Sequence, residues 1–346
     1  MHMANELLSV PVAAGTLGVA AGALGIICKK AREYITSDKL ALMGILGAFI
    51  FAAQLVNFQL PGMPGTSGHM VGAVLLTIIL GPHLAAIVMS SIVIVQCLIF
   101  QDGGLLALGC NIINMALVPS YLGYGIYKTL TAGKISSGRL SIGGLLACLI
   151  SIEAGAVLVP IEASLSGVIM VPFKTFLLTM LGVHLLVGIV EGFITVAVLG
   201  YLQRVRPDIV SEKLPGKIRL SKKGVVVTLG VFTIVTASFL SLIASGFPDG
   251  LEWSYLKRPD QPDFKPIVSN KDPRITVVDE FQSKYTPMPD YSARDSKMGQ
   301  FAEPVDAAGW TSFAGVAGSI ITMCLIWLLA KILRKKQHTN MPAVAI

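Results

Sequence analysis

Leu7-Leu8-Ser9-Val10-Pro11-Val12-Ala13-Ala14-Gly15-Thr16-Leu17-Gly18-Val19-Ala20-Ala21-Gly22-Ala23-Leu24-Gly25-Ile26-Ile27-Cys28 carries no charge and is closed by Lys29-Lys30. A helix over 7–28 is long enough to cross a hydrocarbon core about 30 Å thick. Glu6 precedes the run and the lysines follow it, the reverse of a cleavable signal peptide. The run predicts an uncleaved spanning helix whose N-terminus lies outside. Further apolar runs predict helices near 40–60, 68–80, 82–101, 104–127, 140–161, 173–202, 224–246 and 308–331. The third stops at Gly81-Pro82 and is short enough to be either a span or a re-entrant element.

Composition agrees. Of 346 residues, 53% are hydrophobic and 14% charged, and the mean hydropathy is +0.72. A soluble domain carries about 25% charged residues. The net charge of +7 would suggest nucleic acid in a soluble protein, but here the basic residues sort by loop. Eighteen of the 27 Lys and Arg fall in 28–40, 128–139, 203–223 and the C-terminal tail, whereas 61–67, 102–103 and 162–172 hold none. The positive-inside rule then puts the N-terminus outside and the C-terminus in the cytoplasm, as nine crossings require. Cys28, Cys97, Cys110, Cys148 and Cys324 all lie in apolar stretches with no C-x-x-C spacing, which argues against disulfides and a thiolate metal site. No P-loop and no H-E-x-x-H occur.

The chain opens Met1-His2. Methionine aminopeptidase spares Met before a large residue, so Met1 is expected to stay. The Met1 amine and the His2 amide nitrogen close a five-membered chelate ring. The amide nitrogen and the His2 Nδ1 close a six-membered one. A fourth nitrogen would complete a square, and His69 is the natural donor. Four nitrogens in a plane point to Ni(II) or Cu(II) rather than zinc, calcium or magnesium. Gln54, Asn57, Ser67, Gln96, Asn111 and Asn114 fall towards the same outer leaflet, where they can orient the ligands through hydrogen bonds or cross-link helices. His184 and Glu191 share one face of the seventh helix, nearer mid-membrane, and suggest an ion relay, a structural hydrogen bond or an intramembrane enzyme. Glu153 and Glu162 lie towards the outside. His83 and His338 are not expected to be ligands. Ala14, Gly18 and Gly22 form a small-residue face for a partner subunit or for internal packing.

Met1-His2, the run Met43–Gln54, Asn57-Phe58, Pro61-Gly62, Ser67-Gly68-His69, Gly81-Pro82, Asp102-Gly103-Gly104, Ala107-Leu108-Gly109, Asn111, Asn114-Met115, Leu165-Ser166-Gly167 and Glu191-Gly192 together resemble the nickel/cobalt substrate-capture (M) components of energy-coupling factor transporters. Residues 206–346, with Pro248-Asp249-Gly250-Leu251-Glu252 and Pro287–Tyr291, resemble the small N component. Met3-Ala4-Asn5-Glu6 departs from the family's usual start, without touching the donor atoms. The resemblance implies an all-α polytopic membrane protein. It has a metal-capturing bundle of about seven helices over 1–205 and an N-like module over 206–346. That module comprises helices 224–246 and 308–331, an extracytoplasmic loop 247–307 and a cytoplasmic tail.

It further implies that Met1, His2 and His69 hold Ni(II) or Co(II) as transported substrate. No organic cofactor and no enzyme activity are expected. The partners would be a transmembrane T component and two cytoplasmic ATPases in a bacterial inner membrane, with no nucleic acid. The loop 247–307 holds no His or Cys and carries eight basic against eleven acidic residues. It is expected to aid loading rather than ligation, so deleting 206–346 would leave affinity nearly intact.

Overall fold

The computed structural model describes residues 1–132, 136–210, 217–270, 272–293 and 304–334, without the side chains of 304–308. Of the residues read above, Lys134, Lys213, Lys335, Lys336 and His338 lie outside the described residues. The fold is all-helical apart from one two-residue hairpin. In chain order come α1 (Val10–Ala31), α2 (Ser37–Gln54), β1 (Phe58–Gln59), β2 (Ser67–Gly68), α3 (Ala73–Leu80), α4 (Pro82–Phe100) and α5 (Leu108–Asn111). A π-helical turn, Ile112–Leu117, leads into α6 (Val118–Leu130), followed by α7 (Ser137–Leu165), α8 (Phe173–Val205) and α9 (Pro207–Val210). The second part holds α10 (Lys222–Ser238), α11 (Gly250–Tyr255), α12 (Pro273–Tyr285) and α13 (Pro304–Leu333).

Local chemistry sets the ends. Thr36 and Ser136 accept main-chain N–H groups as N-caps of α2 and α7. Pro11 and Pro82 sit in first turns, where their missing N–H is not needed. Lys29 and Lys30 close α1, complementing its C-terminal carbonyls.

Among the described residues seven helices are long and apolar enough to cross a membrane: α1, α2, α4, α7, α8, the α10 segment Lys222–Ile243, and Gly309–Leu333 of α13. The nine predicted runs are therefore seven long helices and two broken segments. The run 104–127 becomes α5, the π turn and α6. The predicted helix 68–80 begins only at Ala73, because Gly72 takes φ +82°, and Ser67–Gly68 ahead of it are strand. The predicted helix 40–60 ends at Gln54, since Asn57 and Phe58 enter the hairpin. His2 stacks near His69, and Tyr34, just beyond the C-terminal end of α1, packs against His83.

α7 and α8 pack along one another, while α10 and α13 pack on α2. That second contact rests on glycines: a Cβ on Gly47 would strike Ile326, and one on Gly318 would strike Phe51. By contrast the small-residue face of α1 is open, with nothing within 4 Å of a Cβ on Gly15, Gly18, Gly22 or Gly25. Among the described residues nothing packs closely on that face. Between α10 and α13, the segment 247–293 folds into α11 and α12 and lies across the end of the bundle where the N-terminus is.

Candidate metal-capture site

Residues 1–8 thread into the bundle instead of leaving it. Met1 is 4% exposed and Met3 is 0%. Asn111 holds both main-chain groups of Met3: its Oδ1 accepts the Met3 N–H (2.7 Å), and its Nδ2 donates to the Met3 carbonyl (3.2 Å). The Gly104 N–H donates to the same carbonyl (2.8 Å). That approach needs the turn 101–104, where Gly103 takes φ +95° and a Cβ would lie 2.8 Å from Asn111 Nδ2. Asn114 donates to Glu162 (2.7 Å) and contacts the Met3 sulfur, one step removed from the histidines.

The same turn brings Asp102 Oδ1 to 3.1 Å from His2 Nδ1. On the opposite edge His2 Nε2 lies 3.0 Å from Gln96 Oε1. The orientation of Gln96 follows from its neighbours. Gln54 Nε2 donates to the Val71 carbonyl (2.7 Å), so Gln54 Oε1 accepts from Gln96 Nε2 (2.7 Å). Gln96 Oε1 is then left to accept, which puts a proton on His2 Nε2. Nδ1 is the nitrogen the chelate requires. The His2 main-chain N–H finds no acceptor among the described residues.

His69 stacks beside His2 with ring centroids 5.4 Å apart. Its Nδ1 donates to the Met70 carbonyl (3.1 Å), leaving Nε2 unprotonated. Burial first, then the Met1 ammonium and His2, lower its pKa to about 4, against the pull of Asp249 and Asp102. The ring is therefore an open donor at neutral pH.

The predicted residues separate into groups. Met1, His2, His69, Gln54, Gln96 and Asn111 come together. Asn57 lines a cavity of about 770 Å³ shared with His2, His69, Asp102, Asp249 and Tyr291. Ser67 faces elsewhere, donating from Oγ to Phe247 O (2.8 Å) and from its main-chain N–H to Pro248 O (2.9 Å). Of the readings left open for Glu191, the structural hydrogen bond is the one seen: its oxygens accept the N–H groups of Val71 (2.5 Å) and Gly72 (3.0 Å). His184 donates to Met180 O in its own helix (2.8 Å) and lines a small cavity with Met1, His69 and Asp249.

Sequence reasoning left out Asp102 and Asp249. Both stand in motifs quoted above, but nothing in the spacing says that they face the N-terminus. Asp249 Oδ2 lies 3.2 Å from the Met1 amine, and Asp249 Oδ1 caps α11 by accepting Glu252 N–H (2.7 Å). Burial pushes the Asp249 carboxyl up, but the Met1 ammonium, His69 and the Glu252 N–H outweigh it and hold it well below the usual carboxylate range. The loop makes further contacts. Asn270 donates to the Glu6 and Leu8 carbonyls, Asp279 and Gln282 accept from Asn5, and Tyr291 donates to Asp102 (2.6 Å). Beyond the loading role expected of it, the loop clamps the N-terminal segment. Its main-chain groups and uncharged side chains do much of this, which a count of charges does not reveal.

Among the described residues no group of three or more His, Cys, Asp or Glu side chains is gathered for a metal ion. Comparison with known proteins places the arrangement. The family model described as "Cobalt uptake substrate-specific transmembrane region" matches residues 2–209, and a PDGLE domain matches 223–335. A protein of Archaeoglobus fulgidus named as a fused nickel transport protein, NikMN, is 37% identical over 64% of this chain and 72% of its own. The fused nickel transport protein NikMN of Rhodobacter capsulatus is 26% identical over 73% and 75%. A crystal structure of a truncated transition metal transporter superposes with a TM-score of 0.51 at 32% identity, covering 58% of this chain and 98% of that one. Residues 2–209 with their buried N-terminus, followed by a PDGLE module, make this chain a member of the CbiM family: a multi-pass, substrate-specific transmembrane component of nickel and cobalt uptake, and not an enzyme.

Proposed function

We propose that the chain captures Ni(II) from outside in a square plane formed by the Met1 amine, the His2 amide nitrogen, His2 Nδ1 and His69 Nε2. The observation that carries this is the burial of Met1, His69 and the His2 side chain, with a hydrogen bond on the far nitrogen of each ring. Those bonds leave Nδ1 of His2 and Nε2 of His69 as the donors. A cation would take the place of the proton between His2 Nδ1 and Asp102. Because no cluster of three acidic, His or Cys side chains is at hand among the described residues, the main-chain nitrogens are needed. Nickel is preferred to cobalt because a strong nitrogen square suits low-spin d8.

The rest of the reading follows the family. Residues 1–205 form the capture unit, and 206–346 an N-like module whose loop shapes it from outside. Counting α3 as one crossing, and α5 with α6 as another, gives nine, with the N-terminus outside and the C-terminus in the cytoplasm. A transmembrane T component and two ATPases in a bacterial inner membrane would supply the energy, since the chain has no P-loop. The test is metal content and Ni/Co competition by calorimetry on chain purified with a verified free Met1. One diamagnetic, yellow Ni(II) per chain, displacing cobalt, is the expected result. A paramagnetic six-coordinate nickel, or cobalt displacing nickel, overturns it.

A further inference from the structure

Glu191 is fully buried in α8, and its two oxygens start two hydrogen-bond paths. Oε2 accepts the Val71 N–H. That N–H belongs to the Met70–Val71 peptide, whose carbonyl accepts His69 Nδ1–H. Oε1 accepts the Gly72 N–H. That N–H belongs to the next peptide, whose Val71 carbonyl accepts Gln54. Gln54 accepts Gln96, and Gln96 accepts His2 Nε2–H. Each peptide is planar and rigid, so the direction of its N–H fixes the direction of its C=O. Every donor along both paths points towards the one carboxyl group, and such chains polarise one another.

We propose that Glu191 is a positioning residue that sets, from one point, which ring nitrogen of each histidine ligand is turned away from the metal: Nδ1–H on His69, leaving Nε2 as the donor, and Nε2–H on His2, leaving at Nδ1 only the proton shared with Asp102 that the metal would displace. The inference rests on the nickel site proposed above and goes further, since it gives a residue that touches neither imidazole control over both. Glu191→Gln replaces one acceptor oxygen by an NH2 that meets a main-chain N–H, donor against donor. One path then loses its anchor, and the peptide that served it is free to turn.

The experiment uses the full chain, labelled with 15N-histidine, with each ring assigned by single His substitutions. Ring-nitrogen shifts of the metal-free protein report the tautomers, and calorimetry reports Ni(II) affinity. E191Q should lower nickel affinity by about 10–100-fold, as removal of hydrogen bonds behind metal ligands does elsewhere. It should also change the tautomer signature of His69 or His2, leave His83 unmoved, and be partly rescued by E191D. Combined with H69A, it should cost less than the sum of the two separate losses. If affinity falls with every tautomer unchanged, Glu191 is merely structural and the inference fails; unchanged affinity sinks it as well. If H69A binds nickel as tightly as the native chain, it is the proposed site that fails. Should E191Q not fold, Gln54→Leu cuts one path alone. A shift at His2 with His69 unchanged supports the scheme, and a shift at both or neither overturns it.

Discussion

Residues 1–8 and helix α1 are neighbours in the chain and opposites in environment. Met1, Met3, Leu7 and Leu8 are 0–4% exposed, whereas only 17% of the apolar window of α1 is buried within the protein. For α4 the share is 78%, although the two helices are almost equally apolar, with mean hydropathies of 1.9 and 2.3. Hydrophobicity therefore does not tell core from periphery in this chain. What distinguishes them is what else the segment carries. α4 brings Ser90, Ser91 and Gln96, and the N-terminal segment brings an amine, a histidine and a row of main-chain groups that need partners. Before its closing lysines, α1 offers glycines and no strongly polar side chain beyond Thr16, which bonds back to its own helix and accepts from Cys110. In a bilayer, polar groups rather than apolar ones decide which surface turns inward.

The contrast breaks most readily at its first residue. Acetylating Met1, or inserting one residue before His2, removes at least one chelate ring and crowds a pocket that leaves Met1 4% exposed. Loss of measurable high-affinity nickel binding by calorimetry is expected, with a lowered melting temperature for the metal-free protein. An N-terminally tagged chain that still binds as tightly as the native one would place the site elsewhere.

Second in size are the histidines. H2A and H69A should each lower nickel affinity by several orders of magnitude. H83A, whose ring meets Tyr34 and Tyr121 at the far end of α1, should be neutral. H184A now stands between them, because His184 borders the same small cavity. A pH dependence accompanies His69. Its folded pKa of about 4 lies below the ordinary value near 6.5. Between these two values the unfolded chain binds the extra proton, so this contribution to stability is complete above about 6.5 and is lost as the pH falls towards 4. Metal-free H69N should show a flatter fall in melting temperature over that window. An unchanged slope would mean that His69 is not held neutral by the fold.

Much of this was legible in the sequence, for reasons that also mark its limits. The long helices could be read because an apolar run of about 20 residues matches the thickness of a bilayer and little else. Met1 with His2 could be proposed as a chelate because ring size is fixed by covalent geometry, which needs no fold, and the structure sets His69 beside them. The non-helical stretch 67–72 could not be read, since its apolar residues look helical until Gly72 takes a left-handed turn and Glu191 claims two N–H groups that a helix would have used. Asp249 could not either, because its partner lies 248 residues away. Glu191 was legible as a buried charge, with a relay, a structural hydrogen bond and an enzyme all left open, because sequence places it at a depth and cannot say that two main-chain N–H groups wait there.

A smaller effect tests how the two modules share the site. D249N removes the carboxylate beside the Met1 amine while keeping a cap for α11. Nickel affinity should fall by about tenfold, in keeping with loss of a single supporting contact, and hydrogen exchange in residues 1–8 should rise. D263N, on the exposed surface of the same loop, should change neither. Deleting 206–346 removes Asp249, Asn270, Gln282 and Tyr291 together, and should now weaken equilibrium binding more than D249N does. A truncated, folded chain with native affinity would return the loop to loading alone.

The smallest expected effect concerns the other half of the contrast. Gly18 sits on the open face of α1 with nothing within 4 Å of where a Cβ would stand. The Cβ of Gly18→Leu therefore meets no described residue within 4 Å, and replacing Gly inside a helix favours the helix slightly. Nickel affinity should be unchanged, and stability should move by no more than about 0.5 kcal/mol, as for other surface changes. Uptake by cells carrying the complete transporter is a separate measurement. If the glycine face receives a partner helix, the bulk of Leu should cut uptake while calorimetry on the purified chain reads native values. Equal uptake by G18L and the native chain would leave α1 facing lipid, with its glycines serving no close contact.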